Sequence, residues 1–475
     1  VLNLAAAEWN DGELVDAILH YPPGSEKQKA VCFLIAQMDD HLYVHYVNPD
    51  DPLNPFSPDE GVDWLREYVW DYSTMTSELL IEDVEYAFLA RESFPWCRNL
   101  PENIFFDYVL PYRSTQEPVG SWRPVMFEEL APMVAGLGSC LEVSDVINQY
   151  NGQRFRFDEL YYRHPEDRDM FTCIASGAGR CEDISNLANY CLRAVGVPMA
   201  SDFTPWWPKG DNNHAWNTVY DNGKWYISAD NPLPNPNQST IYAKVYRESF
   251  SAGPIMGPAP DGTLPPRLMR TSAIDVTADY TTVCDVNMRV DNPARATYLC
   301  VFNFGDWRAV GGAWAEDDSV LFKDVGNKDI LYCATRYVED ETGWGKHYPV
   351  APPFVLHPNG TTEQINPCPM GEATGDIVLI GWRTGAPLET GAEVKLFMYA
   401  GVEASWEGEA PAEPPISWVE VGSVVVEDIN GAPTALFPGT AVDGGLYALT
   451  DLENIEEFRE GSRPFIWKNS EVTYY

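Results

Sequence analysis

The sequence predicts a multidomain α+β protein, with a helical N-terminal region, an α+β core and two β-sandwich-like domains at the C-terminal end. Three observations predict it. At 475 residues the chain is several times the length of an ordinary domain. A hydrophobic fraction of 45%, with 13% aromatics including 16 Trp and 25 Tyr, supplies apolar surface for more than one core. The spacing of the apolar residues also changes along the chain, from helix-like in the first half to short strand-like runs in the second.

Residues 1–104 read as mainly helical, with the clearest periodicity at 25–38 and 77–92 and a strand-like run, His41-Leu42-Tyr43-Val44-His45-Tyr46, between them. Residues 105–248 form the α+β core, helical up to Pro198 and then short strands and turns. Residues 249–268 include Gly253, Pro254, Gly257, Pro258, Pro260, Gly262, Pro265 and Pro266, a composition that breaks regular structure and marks a linker. Residues 269–355 and 356–475 carry short β-branched or aromatic segments punctuated by Asp, Asn and Gly, as two sandwich-like domains require. The acidic stretch 407–413 reads as a solvated turn.

Charge narrows the partners. Asp plus Glu number 71 against 31 Lys plus Arg, a net charge of -40, and a field of that sign repels phosphate backbones, so nucleic acid is excluded as a partner. No run approaches the ~18 consecutive apolar residues of a membrane span. The start, Val1-Leu2-Asn3-Leu4, has neither an initiator Met nor a signal-peptide pattern and reads as a mature boundary, leaving room for an anchor, such as a lipid, on a preceding segment. Acidity with abundant Trp, Tyr and Pro suits an extracytoplasmic protein of the periplasm, cell surface or medium. The ten cysteines, at 32, 97, 140, 173, 181, 191, 284, 300, 333 and 368, contain no Cys-x-x-Cys pair and stand mostly in apolar runs, which points to buried thiols.

One stretch carries chemistry. Gly177-Ala178-Gly179-Arg180-Cys181-Glu182-Asp183 leads into apolar residues at 184, 187, 188, 191, 192 and 195, the i, i+3, i+4, i+7 spacing of a helix that buries one face. Gly196 and Pro198 terminate it. Cys181 therefore opens a buried helix, where unpaired N–H groups and the macrodipole favour a thiolate. Glu182 and Asp183 oppose that effect, so activation calls for a histidine. His214 is the candidate, in Asn212-Asn213-His214-Ala215-Trp216-Asn217.

The run from His214 through Asp221-Asn222-Gly223 to Lys224-Trp225-Tyr226-Ile227-Ser228-Ala229-Asp230 reads as a β-hairpin. A three-residue loop pairs Tyr220 with Lys224 and sets Asp230 opposite His214. A two-residue Asn222-Gly223 turn pairs Tyr220 with Trp225 and brings Asn231 there instead. The first register is favoured, because a carboxylate stabilises an imidazolium more strongly than a neutral amide does. Trp206 and Trp207, between Pro205 and Pro208, are candidates for a cleft wall, with plain packing the alternative. His41 and His45 share a strand face without a third ligand, so no metal is expected, and His164 reads as part of a solvated loop.

Taken together, the Gly-x-Cys-x-Asp start, the helix ending in Arg-Ala-x-Gly-x-Pro, the His-Ala-Trp-Asn block and the Trp-containing strand ending in Asp-x-Pro resemble the core of the transglutaminase-like superfamily. Phe106-Asp107-Tyr108-Val109-Leu110-Pro111-Tyr112-Arg113, Glu117 and Trp122-Arg123 resemble a secreted bacterial branch of it. The resemblance implies a papain-like fold, with Cys181 as nucleophile, His214 as general base and Asp230 as its orienting partner, although Asp230 stands one residue further from the strand tryptophan than is usual. It also implies an extracytoplasmic cysteine hydrolase or protease that needs no cofactor and cleaves a peptide, protein or glycopeptide amide through a thioester. The alternatives are transglutaminase cross-linking, or a non-catalytic peptide- or glycan-binding protein on the same fold.

Overall fold

Helices form in the N-terminal half where side chains satisfy their first N–H groups. Ser25 caps Glu26–Ala36, Thr76 caps Ser77–Ser93 and Ser139 caps Cys140–Gly152, each hydroxyl accepting from the N–H three residues on. The first two are the helices the sequence predicts, and the strand-like run between them is the strand Leu42–Val47, antiparallel to Leu65–Trp70. The computed structural model describes residues 10–47, 65–164, 166–210, 212–228, 241–256, 272–289, 296–316, 319–339, 345–365, 367, 373–381, 388–402, 416–450 and 463–475. Among these, no helix is long and apolar enough to cross a membrane.

The helix Cys181–Ala194 is the axis of the core and is buried along nearly its whole length. It ends as expected at Gly196, whose φ of 75° is left-handed, and a Cβ there would meet Cys97 Sγ at 2.8 Å, so both conformation and space require glycine. Helices Arg123–Val134 and Cys140–Gly152 pack against it. An antiparallel sheet covers another face, built from β1 (Met199–Thr204), β2 (His214–Asp221), β3 (Lys224–Ile227), β4 (Tyr246–Glu248) and β5 (Ala273–Asp275) in the order β3-β2-β1-β4-β5. Its last strand comes from beyond the Pro/Gly-rich stretch, of which 257–271 lie outside the described residues.

The hairpin corrects the favoured register. Tyr220 pairs with Trp225 and Asp221 with Lys224, so the loop is the two-residue Asn222-Gly223 turn. The physical reason is that Asn222 takes a left-handed φ of 49° beside the 85° of Gly223, which a two-residue turn of matching twist requires.

The helical region is joined to the core by buried ion pairs. Arg113 meets Asp71 at 2.5 Å, and Arg123 meets Asp83 at 2.6 Å while also donating to the carbonyls of Val109, Leu110, Pro111 and Arg193. Glu117 accepts from the Ser114 and Thr115 N–H groups and from the Tyr190 hydroxyl. The upstream motif residues thus act as internal struts.

Beyond the core, the described residues between 283 and 364 form eight strands, and those between 375 and 474 another eight, in antiparallel sheets. Val286, Leu299, Val301, Phe322 and Tyr332 share one apolar cluster across two sheets of the first region, and Ile377, Leu396, Phe437 and Tyr447 do so in the second. Tyr298, Phe302 and Trp307 pack with Tyr399, Leu446 and Ile466 where the regions meet. Two local readings are corrected. Cys32 is exposed because it lies on the outer side of its helix, and His164 is buried because Arg180 holds its carbonyl at 3.1 Å. Cys368 and 407–413 lie outside the described residues.

Candidate functional site

Cys181 is the first residue of its helix, and the turn before it is held from below. The Asp183 carboxylate accepts from the Arg180 N–H at 2.9 Å and from the Arg168 guanidinium at 2.9 Å. A Cβ on Gly179 would approach the same Asp183 oxygen to 2.6 Å, so the Gly-x-Cys spacing leaves room for that carboxylate. Arg180 reaches outward to Asp167 at 2.5 Å and Glu182 at 3.1 Å, which fixes the 164–167 segment beside the helix start.

Two groups donate to the Cys181 sulfur: the Ala215 backbone N–H and the Tyr162 hydroxyl. The first brings the start of β2, and with it His214, to the helix N-terminus. The second follows from a short parallel pairing of Arg156–Phe157 with Ala178–Gly179, which delivers the 3-10 turn Glu159–Arg163 over the thiol. Cys181 is only 6% exposed. Burial pushes its thiol up, with Glu182 adding to the effect, while the Ala215 N–H, Arg180 and Tyr162 pull it down.

His214 stands between two indoles, its ring 6.3 Å from Trp207 and 5.8 Å from Trp216. Burial lowers its pKa to about 4, so the resting imidazole is neutral. Its Nε2 is buried and has no hydrogen-bond partner among the described residues. Trp216 and Asn217 of the same block have structural tasks: Trp216 Nε1 donates to Tyr280, and Asn217 donates to the Ser185 carbonyl of the central helix.

Of the predicted site residues, Cys181 meets the start of the strand that carries His214 through the Ala215 N–H, and the His214 ring itself lies between Trp207 and Trp216. Trp207 is buried beside His214, whereas Trp206 packs toward the first β region, 6.2 Å from Phe304. Asp230 and Asn231 lie outside the described residues. The hairpin register is described up to Thr218↔Ile227, and the three-residue loop that favoured Asp230 is absent. The sequence reading missed Tyr162, because no periodicity marks a two-residue strand pairing, and it missed Asn212, for which the Asn-Asn pair before His214, a residue type that tolerates the left-handed φ of 77° found there, was the available signal.

Residues 130–230 match the family model of the transglutaminase-like superfamily. No curated protein matches the chain. Solved structures with similarity include a candidate cysteine protease from Cytophaga hutchinsonii (16% identity, 30% of this chain and 47% of that one, TM-score 0.24). A second is a candidate protease from Parabacteroides distasonis (13% identity, 55% and 50%, TM-score 0.23). A third is red sea bream transglutaminase (10% identity, 75% and 77%, TM-score 0.23). The alignments with the first two span half of those chains or slightly less.

Proposed function

The chain carries a core of the transglutaminase-like superfamily over residues 130–230, and from that premise we propose that it is a cysteine-dependent acyl-transfer enzyme that hydrolyses a peptide or related amide bond. One observation carries the reading: the Ala215 N–H donates to the Cys181 sulfur at a helix N-terminus, which sets the adjoining His214, neutral and with its Nε2 buried and unpartnered among the described residues, next in the chain to the group that holds the thiol. A neutral imidazole can take the Cys181 proton as the sulfur attacks the amide carbonyl. It then passes that proton to the leaving amine. The N-terminus of the helix stabilises the oxyanion, and water resolves the thioester by the same route in reverse. Water is the favoured acceptor because resolving a thioester needs water alone, whereas cross-linking needs a groove that admits a lysine amine and delays water.

The third member of the site is open between two residues. Resemblance favours Asp230, whereas the observed register, counted onward, favours Asn231 as the residue across from His214. Trp207 is proposed as the wall of the cleft, the two β regions are read as sandwich-like, and export from a bacterial cytoplasm is the proposed setting. The substrate is a peptide, protein or glycopeptide.

The test is a peptide and glycopeptide library, with release of amine or ammonia measured for the wild type and Cys181→Ala. Cleavage that vanishes in the variant supports the reading. Efficient incorporation of a labelled amine into casein would instead mark a cross-linking enzyme, and retained peptide binding without turnover would mark a binding protein.

A further inference from the structure

The loop that leads into His214 is held by a residue from outside the core. Asn303 ends the strand Ala296–Asn303 of the first β region and is fully buried. Its Nδ2 lies 2.9 Å from the Trp207 carbonyl, 2.7 Å from that of Gly210 and 3.1 Å from that of Asn212, while its Oδ1 accepts from the Asn212 N–H at 3.1 Å. One carboxamide thus replaces the ladder that a loop of this kind lacks, and among the described residues the loop closes on itself through Trp207 N–H to the Asn212 carbonyl at 3.0 Å. Arg463 of the second β region adds a longer contact, 3.4 Å, to the Pro208 carbonyl.

Two side chains leave this loop for the site. The Trp207 ring lies beside His214. The Asn212 side chain donates to the Tyr162 hydroxyl, which in turn donates to the Cys181 sulfur. A single buried amide therefore governs the surroundings of both proposed catalytic residues, across a sequence separation of about ninety residues from His214.

We propose that Asn303 is a positioning residue for the Cys181 and His214 site, and that the first β region is a working part of that site through the loop 207–212. The proposal rests on the reading that Cys181 and His214 perform the chemistry. It explains why a residue with no contact to the thiol should be buried against three carbonyls of one loop. A neutral amide suits the task because it supplies donors and an acceptor at once, with no charge to desolvate.

The experiment reads the thiol directly and needs no substrate, so it is independent of whether a peptide is ever cleaved. In the full-length chain, the rate of Cys181 alkylation by iodoacetamide is followed against pH by peptide mass spectrometry, with the exposed Cys32 as internal reference. Asn303→Ala should move the Cys181 profile upward by half to one pH unit, read as roughly 3- to 10-fold slower labelling at pH 7. Tyr162→Phe should cause a similar shift, and the double variant should show little more than either alone. Asn303→Ser, which keeps one donor, should fall between wild type and Asn303→Ala, and it serves the same test if the alanine variant does not fold. A Cys181 profile unchanged in the folded variant, or additive with Tyr162→Phe, overturns the proposal. So does a general rise in labelling of Cys97 and Cys300, which marks loosened packing.

Discussion

The half of the molecule that holds the site and the half made of strands bury polar groups in different ways. Around the central helix the interior contains the pairs Asp71–Arg113, Asp83–Arg123, Arg168–Asp183 and Asp202–Arg247, together with a chain of amides and hydroxyls from Ser114 through Asn189 to Ser201. In the β regions the clusters are Val, Leu, Ile and aromatic rings, and ion pairs such as Lys468–Glu363 sit at the surface. Apolar packing is non-directional and tolerates small shifts, whereas hydrogen-bonded charges fix distances and angles. The difference teaches where geometry is constrained: the directional interior holds the central helix that carries the thiol, while the imidazole rests between the Trp207 and Trp216 rings and the strand half is packed by apolar groups.

The largest expected effect comes from the site itself. Cys181→Ala or His214→Ala should lower the rate by about 10⁴-fold or more, roughly 5 kcal/mol of transition-state stabilisation, with the fold intact by circular dichroism. The pH dependence sharpens this. His214 is depressed from its ordinary 6.5 to about 4 by burial, so the base remains neutral well below pH 6 and the acidic limb of kcat/KM should fall near pH 4. For stability the sign follows from the same depression. The folded state disfavours the imidazolium, so the contribution is complete above pH 6.5 and is lost as pH falls from 6.5 through about 4. An acidic limb near 6.5 would show that substrate-free burial does not set the base.

Arg123 tests the directional interior next. Arg123→Met should destabilise the chain by about 3–5 kcal/mol in denaturant titration, since it leaves Asp83 charged and buried. Adding Asp83→Leu should recover only part of that, because the carbonyls of Val109, Leu110, Pro111 and Arg193 still lose their donor. Full recovery would show that Arg123 acts as a simple ion pair and that the contrast between the two halves is weaker than drawn.

An intermediate effect belongs to the third member of the site. Asp230→Ala and Asn231→Ala should differ, with the residue that orients His214 costing on the order of 10²-fold in rate, about 2.7 kcal/mol, and the other far less. A dominant loss at Asn231 follows from the observed register carried onward, while a dominant loss at Asp230 shows that the chain departs from that register after Ser228.

How much of this was legible in the sequence depends on the range of the determining contact. The central helix was readable because its apolar spacing, Asp183 and Gly196 are local, and His214 was found through its block of neighbours. The hairpin was half readable. Asp221-Asn222-Gly223 fits either loop, and the choice turns on whether Asn222 goes left-handed, which asparagine tolerates without requiring it. Tyr162 and Asn303 were not readable, since each reaches the site through a pairing or a packing contact made by the whole fold. The same holds for His164, where Arg180 draws in what reads locally as a polar loop.

The smallest expected effect lies in the strand half. Cys300 and Cys333 face each other across neighbouring strands, both fully buried, and burial pushes both thiols up. Neither is given a backbone N–H donor or a helix N-terminus, in contrast to Cys181. Cys300→Ala should therefore cost about 1–2 kcal/mol through a small cavity and the lost contact to the Thr335 hydroxyl. The rate at saturating substrate should stay within about twofold of wild type, because apolar packing at this site sets no angle at the thiol or imidazole. Measuring stability and turnover on the same preparation separates the two halves. A variant that loses stability without losing rate supports the contrast between a directional and a non-directional interior. A rate loss of about tenfold or more would show instead that the sheet holding Cys300 transmits strain to the loop, so that the apolar half also sets the geometry of the site.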